Sequence, residues 1–195
     1  GATLTENITI TNYNNLAAGE LGNDILIDGN LATSGNISLI NLESNIHNKG
    51  TVKGQNVLMD AVGEVVQKAG DIIVGNTNAG TATLKAGTNV KVSGGNIKAV
   101  NGNVSLQANA DVHIIGGSIN ATGGVVDIVA QNDVTQTKGS MLAEGGQINI
   151  KANNSILLTN GRMKAKEAKL VAVNGYISEN YDNTKTSFNG YALDI

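Results

Sequence analysis

Small apolar residues recur along this chain at alternate positions, in short groups separated by glycine and asparagine. From Gly80 the groups themselves recur in 22-residue phrases that abut without a gap. The phrases are GTATLKAGTNVKVSGGNIKAVN, GNVSLQANADVHIIGGSINATG, GVVDIVAQNDVTQTKGSMLAEG and GQINIKANNSILLTNGRMKAKE. Aligned, their third position reads Ala82, Val104, Val126, Ile148, the fifth Leu84, Leu106, Ile128, Ile150, and the seventh Ala86, Ala108, Ala130, Ala152. The eleventh reads Val90, Val112, Val134, Ile156, and the sixteenth is always glycine: Gly95, Gly117, Gly139, Gly161. Ile97, Ile119, Met141, Met163 and then Ala99, Ala121, Ala143, Ala165 fill the eighteenth and twentieth.

Alternation at period two is strand spacing, with one face inward and one outward. Each phrase accommodates three short strands, with Gly and Asn where the chain must turn. A strand whose own copy follows one phrase later can pair with it in parallel, about 4.8 Å away. The predicted fold is therefore all-β: a right-handed parallel β-helix with about 22 residues per three-strand coil. The handedness extends the general crossover rule. One stretch, MKAKEAKLVAV at 163–173, has helical composition. The repeat register instead places Met163, Ala165, Leu170 and Ala172 in inward strand positions, and stacking on neighbours overrides a weak local preference.

The phrase weakens toward both ends, which divides the chain into four parts. Residues 1–34 read as irregular N-terminal coils in which Ile8/Ile10, Ile25/Ile27 and Leu31 alternate without a definable register. Residues 35–79 read as imperfect coils. One is a shorter turn of 20 with Ile37, Leu39, Gly50 and Val52; the other carries Val57, Met59, Ala61, Val65, Gly70, Ile72 and Val74, with three extra residues, 77–79, expected to bulge at a turn. Residues 80–167 are the regular repeats. Residues 168–195 read as a continuation with an irregular loop, in which Leu170 and Ala172 carry on the columns. Leu193 and Ile195 resemble positions three and five of a further coil, so the chain reads as a segment cut from a longer solenoid. Eight or nine coils would give a rod of roughly 40 Å.

Composition changes this picture little. The chain of 195 residues has no Cys, no Pro and no Trp, one Phe and four Tyr, so its core must come from Val, Ile, Leu and Ala. Glycine numbers 25 and asparagine is more abundant still, as expected of a chain with many tight turns. Net charge is −3 with 15% of residues charged and one arginine, Arg162, which speaks against nucleic acid as a partner. No apolar run approaches the ~20 residues of a membrane-spanning helix.

The consensus G-x-[V/I]-x-[L/I]-x-A-x-x-[D/N]-[V/I]-x-x-x-x-G-x-[I/M]-x-A resembles the haemagglutinin repeats of filamentous haemagglutinin-like proteins, the exoproteins of bacterial two-partner secretion. The match is strong over 80–167, fair over 35–79 and weak elsewhere. The resemblance implies a fibrous β-helix secreted through an outer-membrane transporter to the surface of a Gram-negative bacterium. It further implies an adhesin whose shaft projects a binding region toward a host-cell or bacterial surface receptor or glycan. The alternative it implies is the stalk of a contact-dependent growth inhibition toxin. The family's secretion domain carries Asn-Pro motifs; this chain has no proline, as expected of an internal shaft segment.

Candidate chemistry is sparse. The tenth column holds Asn89, Asp111, Asp133 and Ser155. Two carboxylates are few for Ca²⁺, which takes six or more oxygens, so this column reads as a polar ladder along a turn, and no metal or cofactor is expected. A carbohydrate-active β-helix enzyme would need grouped carboxylates with a base or cation beside them. Asp60, Glu64 and Asp71 share one coil but are separated by register, Arg162 stands alone, and His47 and His113 lack a Ser or Cys partner. No catalytic residue is assigned and no enzyme is expected. His113 falls in an outward row with Lys91, Thr135 and Leu157. Asn7, Asn36, Asn103, Asn120 and Asn153 begin Asn-x-Ser/Thr triplets, which an Asn-rich chain also forms by chance. The aromatics Tyr176, Tyr181, Phe188 and Tyr191 gather in the irregular C-terminal stretch, where a loop leaving a rigid shaft is a place for partner binding.

Overall fold

The structure is a computed structural model that describes residues 6–13, 23–75, 78–180 and 193–194. Among them all regular structure is β-strand. The first coil consists of β1 (Ile8–Asn12), β2 (Ile25–Ile27) and β3 (Asn30–Ala32), the second of β4 (Ile37–Asn41), β5 (Ile46–Asn48) and β6 (Thr51–Gly54), and the third of β7 (Val57–Ala61), β8 (Val65–Gln67) and β9 (Asp71–Val74). The fourth has β10 (Thr81–Ala86), β11 (Val90–Val92) and β12 (Asn96–Val100), and the fifth β13 (Asn103–Ala108), β14 (Val112–Ile114) and β15 (Ser118–Thr122). Then follow β16 (Val125–Ala130), β17 (Val134–Gln136), β18 (Ser140–Ala152), β19 (Ile156–Thr159), β20 (Arg162–Ala172), β21 (Ile177–Asn180) and β22 (Leu193–Asp194).

Every strand pairs in parallel with its own copy in the adjacent coils, so the chain is a parallel β-solenoid of about seven turns with roughly 22 residues per turn. Three columns show the stacking. On the first face Ile8, Ile37, Val57, Ala82, Val104, Val126, Ile148, Ala168 and Leu193 are successive partners. On the second the series is Ile25, Ile46, Val65, Val90, Val112, Val134, Ile156 and Ile177. The third runs Leu31, Val52, Ile72, Ile97, Ile119, Met141 and Met163. Inward residues of all three faces merge into one apolar cluster from Ile25 to Leu170. The repeat columns lie inside it: Leu106, Ile128, Val112 and Ile119 are each 0% exposed. Burying such an aliphatic side chain contributes about 1.5–3 kcal/mol.

Two glycine columns permit the close stacking. Gly70, Gly95, Gly117 and Gly139 turn between the second and third faces with φ of +64° to +83°, a region β-carbon-bearing residues rarely adopt. At the corner before the first face, a Cβ on Gly102, Gly124 or Gly146 would collide with the carbonyl oxygen of the glycine one coil earlier.

The structure resolves the register where the repeat weakens. Ile8 stands 29 residues before its partner Ile37, whereas Ile25 stands 21 before Ile46. The first coil thus carries eight extra residues between its first two faces. These residues belong to one turn, and the solenoid has about seven turns where eight or nine were expected. A stack of seven spans about 34 Å at the strand spacing. The extra residues before Gly80 fall between β9 and β10, because all three faces keep an offset of 25 across that joint.

One joint departs from the 22-residue period. Met141 and Met163 are offset by 22, but Ile148 pairs with Ala168 and Ile150 with Leu170, an offset of 20. Leu170 and Ala172 therefore take positions five and seven, and Ala168 takes position three. The corner residues Glu144–Gly145–Gly146 have only Lys166 opposite them, so β20 passes from the third face to the first as one strand. MKAKEAKLVA is strand up to Ala172, as the register required, with Leu170 buried and Met163 and Ala165 half-buried. Leu193 pairs with Ala168 at position three, on the first face; Ile195 lies outside the described residues.

Candidate functional site

The tenth column is a hydrogen-bonded ladder along the corner between the first and second faces. Each side-chain oxygen accepts the backbone N–H of the next coil: Asp24 Oδ1 from Asn45 at 3.2 Å, Asn45 Oδ1 from Glu64 at 2.7 Å and Asn89 Oδ1 from Asp111 at 3.1 Å. Asp111 Oδ1 then accepts from Asp133 at 3.0 Å, Asp133 Oδ1 from Ser155 at 2.8 Å and Ser155 Oγ from Tyr176 at 3.3 Å. Asp111 and Asp133 thus spend an oxygen each on turn amides. Among the described residues no three His, Asp or Glu side chains gather so as to hold a metal ion.

The carboxylates of the third coil point away from one another, one per face. Asp60 meets Lys85 at 3.0 Å on the first face, Glu64 meets Lys91 at 2.6 Å on the second, and Asp71 meets Lys98 at 3.2 Å on the third. All three pairs cross the same joint, between the third and fourth coils. Asn96 donating to Asp71 holds that carboxyl below its ordinary range; burial works against this, and Lys98 adds to it. At Glu64 burial pushes upward but is outweighed by hydrogen bonds from Asn89 and Lys91. Asp24 is likewise lowered, its burial being offset by bonds from Ser44 and Asn45 and by the nearby His47.

His47 and His113 occupy the same outward row of the second face, three coils apart. His47 Nε2 lies 3.1 Å from Asp24 Oδ2, while its Nδ1 is buried with no partner. His113 Nδ1 lies 2.8 Å from Thr135 Oγ1, and its Nε2 is 3.9 Å from Asp111. Both rings are therefore tied to neighbouring polar side chains on the surface of a sheet. Of the aromatics singled out for partner binding, Tyr176 is exposed at the corner of the last described coil. Tyr181, Phe188 and Tyr191 lie outside the described residues.

Two features escaped the sequence reading. The first is a set of amides inside the solenoid: Asn48, Gln67 and Gln136 are all buried in the thirteenth column, where two of the regular coils carry Val92 and Ile114 and a third carries Gln136 itself. Asn48 Nδ2 donates to Gln67 Oε1 at 2.8 Å, and Gln67 Nε2 donates to the carbonyls of Ala69 and Gly70 at 2.7 and 3.1 Å. The second is a concentration of cations on β20 and its neighbours. Arg162, Lys164, Lys166 and Lys169 are exposed along one strand, beside exposed Lys151 of β18. The alternation in RMKAKEAK was the available signal; its reading as a strand question hid its charge. Glu144 pairs with Lys164, whose hydrogen bond and charge hold the carboxyl low, with a smaller contribution from Arg162.

No family model matches this chain, and neither the curated proteins nor the solved structures contain a match to it. No helix is long and apolar enough to cross a membrane among the described residues.

Proposed function

We propose that this chain is a shaft segment of a large secreted adhesin of the filamentous haemagglutinin type, exposed on the surface of a Gram-negative bacterium and non-catalytic. The observation that supports it most is the unbroken in-register stack of all three faces around one apolar core. A rod built this way projects whatever it carries, and its length scales with the number of coils. Its surface supports the same reading: the carboxylates of the third coil are matched singly to lysines, and the ladder acids to turn amides. Export through an outer-membrane transporter and contact with a surface receptor or glycan belong to the proposal through the resemblance of the repeat consensus.

The test is an in-phase deletion in the full-length secreted protein. Removing residues 102–123 joins Asn101 to Gly124 and subtracts one coil, about 4.8 Å of rod. The expected result is a folded, slightly shorter filament by electron microscopy, with cell binding retained. Cell binding lost from a filament that still folds would overturn the shaft role.

A further inference from the structure

We infer that Thr135 is a covalent modification site, an acyl acceptor activated by His113 and Asp111, which goes beyond the shaft reading. The repeat assembles the site. His113 and Thr135 lie one phrase apart in the chain and are direct partners on adjacent strands, β14 and β17, of the second face. Thr135 Oγ1 lies 2.8 Å from His113 Nδ1, and Asp111 Oδ2 lies 3.9 Å from the opposite ring nitrogen, Nε2. A hydroxyl within hydrogen-bond reach of an imidazole, which a carboxylate orients in turn, is the arrangement that activates a hydroxyl nucleophile.

Each group is fixed for its part. Asp111 Oδ1 accepts the backbone N–H of Asp133 at 3.0 Å, which anchors the carboxylate and leaves Oδ2 for the ring. A carboxylate beside Nε2 favours the tautomer that carries its proton there, so Nδ1 keeps the lone pair that accepts from Thr135. At 3.9 Å the carboxylate orients the ring by charge rather than by a formed hydrogen bond. The His113 and Asp111 side chains are each 28% exposed, within reach of a small reagent. Lys91, on the other side of His113, is held by Glu64 at 2.6 Å, and Leu157 stands beyond Thr135 as an apolar neighbour for the acyl group.

His47 is the internal comparison. It sits in the same row with its own carboxylate, Asp24 at 3.1 Å, yet its partners on the adjacent strands are Leu26 and Val66. Its Nδ1 has no partner, where that of His113 has a hydroxyl.

The reaction balances with one co-reactant, an acyl thioester or aryl ester. Thr135 Oγ1 bonds to the carbonyl carbon while its proton passes to His113 Nδ1. The tetrahedral adduct then expels the thiolate or phenolate, which takes that proton from His113. A threonine ester and a thiol or phenol remain. The nearby backbone N–H groups of Val134 and Thr137 donate to the Ser155 and Ile114 carbonyls at 3.0 and 2.9 Å, so the oxyanion gains nothing from them. The site therefore takes donors with good leaving groups, and the threonine ester, whose alkoxide leaves poorly, persists. Thr135 is spent once, without turnover.

Incubating the 195-residue chain with p-nitrophenyl acetate, or with the acetyl thioester of N-acetylcysteamine, tests the site. Peptide mapping by mass spectrometry should find an acetyl ester on Thr135, and the mapping scores lysine acetylation separately. Thr135→Val keeps strand propensity and should abolish the ester; Thr135→Ser should keep it. His113→Gln should slow labelling about a hundredfold, the lower end of general-base effects. Asp111→Asn keeps an oxygen for the Asp133 amide and should slow labelling several-fold. Nitrogen NMR of the His113 ring should show a protonated Nε2 in the parent chain and mixed tautomers in Asp111→Asn, a signature that a merely structural Asp111 would not produce. Thr83, a half-buried outward threonine of the first face with Leu58 and Ser105 as strand partners, should stay unlabelled. Equal thermal melts establish that the variants are folded, and His113→Asn repeats the test if glutamine destabilises the sheet. No ester at Thr135, undiminished labelling in His113→Gln, or equal labelling of Thr83 overturns the proposal. So does continuous release of nitrophenolate without a threonine ester, which makes the imidazole itself the nucleophile. None of these outcomes bears on the rod, which the coil deletion tests separately.

Discussion

The third and fifth coils solve the same stacking problem with different interactions. In the fifth coil every inward position of the second face is aliphatic, Val112 and Ile114, and the coil fits its neighbours at a constant 22-residue offset. The third coil puts the amide of Gln67 where Ile114 stands, receives Asn48 from below, and joins the fourth coil across an offset of 25 with an ion pair on each face. Regular coils are held mainly by interchangeable apolar layers, Gln136 being the buried exception; the second-to-third and third-to-fourth joints carry contacts that specify which coil sits on which. A uniform stack tolerates a slip of one whole phrase, because each layer resembles the next. The Asn48 amide of the second coil, which must find Gln67 Oε1 of the third, does not. The polar contacts at the joint add register more than they add energy, since exposed pairs are worth about 0–1 kcal/mol.

Four substitutions or conditions separate the two strategies. The largest effect is expected in the regular stack: Ile128→Asp places an ionised carboxylate in a fully buried layer, at a cost of several kcal/mol. Its thermal transition should collapse or split, and a melt equal to the parent's would refute the register. Next comes Gly124→Ala, whose new methyl group meets the Gly102 carbonyl; a loss of about 2–3 kcal/mol is expected by denaturant unfolding, because backbone on both sides leaves little room to shift.

Between the second and third coils, Asn48→Leu removes the donor to Gln67 Oε1 and leaves that oxygen buried and unpaired. A cost of about 1–3 kcal/mol follows. Hydrogen exchange should quicken over 46–74 while 103–136 stays protected; uniform quickening would mean that the coils do not differ in the way described. The smallest effect is acid. Glu64 and Asp71 are held below their ordinary range, so around pH 4 the unfolded chain binds more protons than the folded one. Their contribution is complete above the ordinary carboxylate range and is lost as pH falls through the depressed folded values. Between pH 6 and pH 3 the melting temperature should drop, by less in Glu64→Gln/Asp71→Asn, and about 1 M salt should shrink the difference.

How much of this was legible depends on what fixes each feature. The columns from Ala82 to Ala152 were readable because a constant period forces like onto like, and every pairing there obeys it. The polar ladder was readable because Asn, Asp and Ser interchange in its column. Ile8 and Ile10 could not be placed, since an excursion of eight extra residues before Ile25 leaves no trace in the alternation itself. The shortened corner at Lys166 was not legible for a related reason: Leu170 and Ala172 fit a period-two pattern whether the coil has 20 or 22 residues, so only pairing decides. Asn48 and Gln67 were hidden because an amide at an inward position reads as a break in the strand pattern until its partner is known. Of the aromatic group proposed for binding, Tyr176 alone is placed, exposed at a corner.

The tenth-column ladder has a direction. From Asp24 to Tyr176 the side-chain acceptor belongs to the earlier coil and the backbone amide hydrogen to the later one, except at the third-to-fourth joint, where Glu64 Oε1 accepts from the Asn89 side chain instead. A coil completed first offers an open side-chain acceptor to the segment that follows, while its next backbone N–H, that of Val112 for example, is satisfied only by the carbonyl of the tenth-column residue one coil later. A chain emerging amino end first would thus meet a prepared side-chain acceptor at each rung of the ladder, and each captured amide would oppose backsliding. The ladder works as a molecular ratchet tooth, set for a polymer that acquires its shape in the order in which it arrives.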